Sequence, residues 1–210
     1  MPDSIEPAAA QTRRDEYAEM TRRDVVAAAR RLFAEQGYEQ TTVAQIARAA
    51  RVSPATVYAQ CGGKEGLLHT LMDIWTTSPT VGRIIGDAAA GRTGREKLRI
   101  LADGYVAHAA EAGDIMRIVE RAAASSTPAK TFLDIADRRH TEALETITKG
   151  IADVGELADG VSVTDAARMI YFHFRNPQLV LASETFGWGI DRAKQWLLER
   201  VESAILTPRP

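Results

Sequence analysis

The stretch from Thr42 to Lys64, TVAQIARAARVSPATVYAQCGGK, constrains the fold more than any other part of the chain. Thr42 and Gln45 have the spacing of a capping box, in which two side chains satisfy orphan backbone N–H groups at a helix start. Val43, Ile46, Ala47 and Ala50 then recur at helical spacing and face inward. Arg51-Val52 makes a turn and Ser53 caps a second short helix. Pro54 takes the first helical position, where its missing N–H costs nothing. Gly62-Gly63 stops that helix, since glycine accepts the left-handed conformation at a helix end. Two short helices joined by so tight a turn read as a helix-turn-helix, whose second helix lies in the major groove of DNA.

Strand signals are almost absent elsewhere, and apolar residues recur at three- and four-residue spacing, so the chain is all-α. Residues 1–20 scatter Asp, Glu, Pro and Arg without an apolar core. They read as a disordered N-terminal arm and not as a signal peptide. Thr21 with Asp24 resembles a capping box for the first helix, which Gly37 ends. Residues 21–66 then form a three-helix DNA-binding domain, and residues 67–210 a helical regulatory and dimerisation domain. Within the latter, Ser78-Pro79 and the Gly-rich stretch from Gly82 to Gly94 break the pattern, with a short helix between them. Thr93 with Glu96 caps a helix that Gly113 separates from the next. Thr127-Pro128 starts a long helix, and Ser162 with Asp165 caps another. Pro177 lies inside a helical pattern, so that helix kinks near Asn176 or ends there and restarts. After a last break at Gly187 to Gly189, Trp196, Leu197, Val201 and Ile205 make a wide apolar face.

Formal net charge is -2, so nucleic-acid affinity must come from a local patch. Between Arg22 and Lys64 seven basic residues face three acidic ones, a local excess of four. A single cysteine, Cys61, rules out an internal disulfide and fits a reducing compartment. No apolar run approaches the ~20 residues that span a bilayer. The expectation is a cytoplasmic protein that does not engage membranes.

The run T-T-V-x-x-I-A-x-x-A-x-V-S-P-A-T-V-Y followed by G-x-K-E-x-L-L resembles the N-terminal domain of the TetR family of transcriptional regulators. The resemblance covers about the first third of the chain. It implies a homodimeric regulator, usually a repressor, of roughly nine helices, with the last two at the dimer interface and a small-molecule pocket in the C-terminal body. Carried over by position, the DNA contacts are Thr42, Ser53, Ala55, Thr56, Tyr58, Gln60 and Lys64. Two departures stand out. Arg51 occupies a turn position where the family usually has glycine, which a non-glycine residue can match at some cost, with an added phosphate contact. Gln60-Cys61 stands where the family usually has an aromatic, often after histidine. Cys61 then replaces a core phenylalanine, and Gln60 is placed to read adenine.

The partners expected are double-stranded DNA, as a pseudo-palindromic operator, and a small organic effector. Candidate lining residues are Trp75, Tyr105, His108, Met116, Phe132, Phe172 and His173, with Trp188 a further aromatic, and the pocket is expected beside Pro177, where a freed carbonyl and His173 would orient an apolar ligand. The apolar face of Trp196, Leu197, Val201 and Ile205 exceeds what one body is expected to bury, which points to a dimer interface. His69, His108, His140 and His173 show no metal-ligand spacing, and neither a nucleophile elbow nor paired carboxylates stand out. No metal, cofactor or catalytic residue is expected, and Cys61 reads as a small buried hydrophobe. The alternatives are an all-helical enzyme or ligand carrier with a helix-turn-helix-like core, and a constitutive DNA-binding regulator without a ligand.

Overall fold

Nothing between Arg13 and Gln36 interrupts a helix: the segment contains neither glycine nor proline, and Arg23–Glu19 and Arg31–Glu35 pair one turn apart at 3.3 and 3.4 Å. In the computed structural model, which describes residues 13–208, α1 accordingly runs Arg13–Gln36. It starts eight residues earlier than the Thr21 cap implies. Thr21 lies inside it, its hydroxyl donating to the Tyr17 carbonyl at 2.8 Å. Of the arm expected over residues 1–20, residues 13–20 are therefore helical, and residues 1–12 lie outside the described residues.

Two units divide between Leu71 and Met72, inside α4 (Gly63–Thr76). In the first, α1, α2 (Val43–Ala49) and α3 (Pro54–Cys61) bury Val25, Ala29, Phe33, Ile46, Ala47 and Val57, joined by Leu67, Leu68 and Leu71 of α4. Each of these side chains larger than alanine contributes on the order of 1.5–3 kcal/mol by leaving water. Thr41, buried in the loop before α2, donates its hydroxyl to the Gly37 carbonyl at 2.8 Å and so fixes the approach to the Thr42 cap.

The second unit holds α5 (Pro79–Ala90), α6 (Gly94–Ala123), α7 (Thr127–Asp153), α8 (Val163–Phe174), α9 (Asn176–Val180), a π-helical turn (Leu181–Thr185) and α10 (Ile190–Ile205). Three glycine signals resolve differently from the sequence expectation. Gly82 and Gly86 lie within α5, and Gly113 lies within an unbroken 30-residue α6. Gly82 and Gly86 have open space where a Cβ would stand, whereas two glycines of α6 answer to close packing. A Cβ on Gly104 would collide with the Ile84 side chain, and one on Gly113 would sit 3.1 Å from Asn176 Oδ1. These glycines admit a neighbour and do not end a helix.

At Pro177 the chain restarts. Arg175 is extended (φ -56°, ψ 147°), and Pro177 sits in the first turn of α9. The four-residue apolar set of α10 also needs correction. Leu197, Val201 and Ile205 are buried within their own unit, among Leu98, Leu101, Leu144, Ile147, Ile170 and Phe174. α10 packs on α6 and α8, and the 30-residue α6 supplies enough surface to cover that face. Only Trp196 of the four is exposed, at 44%. Among the described residues no helix is long and apolar enough to cross a membrane.

Candidate nucleic-acid interface and body cavity

Each element of the turn is held by the chemistry its sequence offers. Thr42 Oγ1 accepts from the Gln45 N–H at 3.2 Å while Gln45 Oε1 accepts from the Thr42 N–H at 2.8 Å, completing the capping box. The turn places Arg51 at φ 57°, the only described residue other than glycine at positive φ. The Val52 N–H bonds the Ala47 carbonyl at 2.9 Å, closing the end of α2. Ser53 Oγ accepts from the Thr56 N–H at 3.1 Å, and Gly62 (φ 67°) closes α3.

This leaves one face of α3 open. Ser53, Ala55 and Tyr58 are exposed, Thr56 and Gln60 are half-buried, and Val57 and Cys61 point into the core. The Tyr58 ring lies against Gly63, whose missing Cβ makes room for it, and Tyr58 is 60% exposed. Lys64 donates from Nζ to the Glu39 carbonyl at 3.3 Å and stands 4.3 Å above the Tyr38 ring. It braces the loop before α2 as well as carrying charge. No acidic residue occurs between Thr42 and Lys64, whereas Arg48 and Arg51 are both exposed. The surface is therefore basic, with small side chains at the exposed N-terminus of a short helix, a shape suited to groove edges flanked by phosphates. Burial pushes the Cys61 thiol up, against a smaller opposing effect of Arg22, as for a thiol serving as core.

In the second unit a cavity of about 150 Å³ opens among α4, α5, α6 and α7. Of the residues named as candidate lining, Trp75, Tyr105 and His108 stand on its wall. Met116, Phe132, Phe172 and His173 do not. Met116 is buried, Phe132 is half-buried, and Phe172 is 60% exposed. His173 spends its Nδ1 proton on the Met169 carbonyl at 2.7 Å, one turn back in its own helix. The cavity is thus not at the Pro177 restart. Ile84, Ile85, Leu101, Arg139 and His140 complete much of the wall, and sequence reasoning missed them. A signal for His140 existed: Ala136, His140 and Ala143 share one face of α7, smaller and more polar than a core stripe.

A buried polar chain starts at this wall. The Tyr105 hydroxyl is hydrogen-bonded to His140 Nε2, and the Tyr105 ring stacks on Phe174 at 5.4 Å. His140 meets Tyr171 edge-on at 5.4 Å, and the Arg175 guanidinium sits 5.0 Å from the Tyr171 ring. Arg175 bonds Glu120 at 2.9 Å and approaches Asp137 at 4.0 Å. Burial, then the nearby His108 and Arg175, pushes His140 down to about 4. Burial also lowers His108 and raises the Tyr105 phenol. Both imidazoles are therefore neutral at pH 7, and Tyr105 keeps its proton. His108 stacks on Trp75 at 6.1 Å, and its buried Nδ1 has no hydrogen-bond partner.

The model for "Bacterial regulatory proteins, tetR family" matches residues 25–71, from mid-α1 to the boundary between the units. The HTH-type transcriptional regulator HbdR of Aromatoleum sp. (strain CIB) is 43% identical over 60 residues, which is 28% of this chain and 26% of that protein. The match spans about a quarter of that relative's length. Solved structures resemble the fold over nearly the whole chain. The SmeT–triclosan complex superposes with a TM-score of 0.71 at 19% identity, covering 91% of this chain and 98% of that one. NalD, the secondary repressor of the MexAB-OprM multidrug efflux pump in Pseudomonas aeruginosa, superposes with a TM-score of 0.70 at 21% identity, covering 92% and 100%.

Proposed function

We propose that this chain, a member of the TetR family by its N-terminal domain of residues 25–71, is a dimeric, cytoplasmic, sequence-specific DNA-binding regulator. It acts as a repressor that a small organic effector releases from a pseudo-palindromic operator. The observation that carries the reading is the capped turn from Thr42 to Gly62, with the exposed N-terminal face of α3 between two arginines and Lys64. Ala55, Thr56 and Gln60 read base edges; Thr42, Arg51, Ser53, Tyr58 and Lys64 hold phosphate.

Dimerisation is assigned to the aromatic surface around α10 in place of the buried Leu197, Val201 and Ile205. Phe186 and Trp188 meet tilted at 5.5 Å and Trp188 meets Trp196 edge-on at 5.6 Å, with Arg192 4.8 Å over Trp188 and Arg200 5.8 Å over Trp196. Trp and Arg are the residues that dominate interface energetics, and an exposed group of this kind on a monomer marks an association site. Effector release follows if the ligand binds more tightly to the form that binds DNA poorly. α4 contributes Lys64 to the first unit and Trp75 to the cavity wall, so one helix is common to both activities.

The test is a gel-shift titration against DNA flanking the chain's own gene, with light scattering of the free protein. Wild type binds as a dimer with steep salt dependence. Lys64→Ala lowers the salt slope by about one without changing the preferred sequence. Trp196→Asp gives a folded monomer with weakened operator binding. A monomeric wild type, or affinity indifferent to salt, refutes the reading.

A further inference from the structure

The chemistry of the cavity wall narrows what it accepts. Its lining is mostly aliphatic and contains no carboxylate. Its volume, about 150 Å³, matches apolar cavities that hold a single benzene ring. Of its polar groups, Tyr105 is already committed to His140, whose neutral imidazole brings no charge to the wall. His108 adds a second neutral imidazole. The one formal charge on the wall is Arg139, which is exposed and makes no ion pair among the described residues, unlike Arg175 behind it, which is occupied by Glu120 and Asp137. A cationic ligand would meet an unpaired guanidinium and find no counter-charge. A fully apolar one would leave His108 Nδ1 unpartnered.

Resting on the effector reading above, we propose that the cavity takes a compact aromatic carboxylate, its ring among Ile84, Ile85 and Leu101 and its carboxylate paired with Arg139. The wall then supplies what such an anion needs: an apolar slot for the ring, neutral imidazoles at its edge, and a planar guanidinium that meets a carboxylate with two parallel N–H bonds. Arg139 being exposed keeps the carboxylate solvated on one side, so the anion is not stripped of water to bind.

Isothermal titration calorimetry on the whole chain, without DNA, tests this with three probes of one size: benzoate, benzyl alcohol and benzylamine. Benzoate is expected to bind about fivefold more tightly than benzyl alcohol, the ratio a partly exposed ion pair supports, and benzylamine most weakly. Arg139→Gln erases the preference for benzoate and leaves benzyl alcohol unchanged; Arg139→Lys restores part of it. Ile84→Trp, which fills the slot, abolishes binding of both, with circular dichroism reporting that the helices remain. Equal affinity for benzoate and benzyl alcohol, tightest binding of benzylamine, no heat with any probe at millimolar concentration, or an unchanged ratio in Arg139→Gln each overturns the proposal. Benzoate that binds with the stated preference and fails to release operator DNA upholds the ligand class and refutes the effector reading instead.

Discussion

Replacing His140 isolates a pH dependence that the fold builds in. In the unfolded chain this imidazole titrates at its ordinary value of 6.5; in the native state burial, His108 and Arg175 hold it down to about 4. Above 6.5 it is neutral in both states and contributes no pH dependence. Between 6.5 and 4 the unfolded chain takes up a proton that the native state refuses, so stability falls as pH falls. The slope approaches about 1.4 kcal/mol per pH unit, and by about pH 5 the loss from this group is about 2 kcal/mol. His108, also lowered by burial, adds in the same direction. Glu120 opposes it: burial raises its carboxyl, so its contribution grows as pH falls. Wild type alone is therefore a sum of opposed effects, and the informative quantity is the difference from His140→Gln. Urea unfolding followed by far-ultraviolet circular dichroism, from about pH 7.5 to about pH 5, gives that difference. The variant is expected to be less stable than wild type at neutral pH, where it loses the Tyr105 bond, and the gap is expected to close by about 2 kcal/mol toward pH 5. A gap that stays constant across this window refutes the claim that His140 is buried as a neutral base.

Two further outcomes follow from the first unit. Ser53→Ala removes the acceptor for the Thr56 N–H and is expected to destabilise that unit by about 1 kcal/mol, read as a lower urea midpoint for its unfolding; an unchanged midpoint means that α3 does not depend on its cap. Gly63→Ala combines a strained φ of 75° with a Cβ 2.7 Å from the Tyr58 ring, so it is expected to cost about 1–2 kcal/mol and to displace Tyr58, weakening binding to all DNA sequences alike; a Gly63→Ala variant with wild-type stability and DNA affinity contradicts that packing.

How far the sequence revealed this molecule depended on whether a residue's role is local. The Thr42 box, the Ser53 cap, the Arg51 turn and the Gly62 stop are each decided by residues within four positions, and each stands in the structure as its side chains imply. The mid-helix glycines were not legible, because Gly104 and Gly113 answer to Ile84 and Asn176, partners 20 and 63 positions away. The cavity divides the same way. Trp75, Tyr105 and His108 were found because they are aromatic or imidazole on helices. His140 and Arg139 were missed because their role arises only when α7 lies beside α6. His173 misled because its bonding to Met169 one turn back leaves no trace in composition. The α10 face misled in the other direction: its apolar width is real, but how much of it a long α6 covers is a question of packing that no window on α10 can answer.

Gly104 has a bearing on how the shape of the cavity is able to change. At that point the cavity is bounded by the main chain of α6, with Ile84 of α5 pressed against it. A boundary made of side chains swings aside for a larger guest; one made of helix backbone does not, because moving it means moving 30 residues. On that side the width of the slot is thus fixed, and any change in it has to come from the facing side chains. A shorter side chain at Ile84 or Ile85 lengthens the slot, whereas a Cβ at position 104 would collide with Ile84 Cγ2 and force that side chain to move.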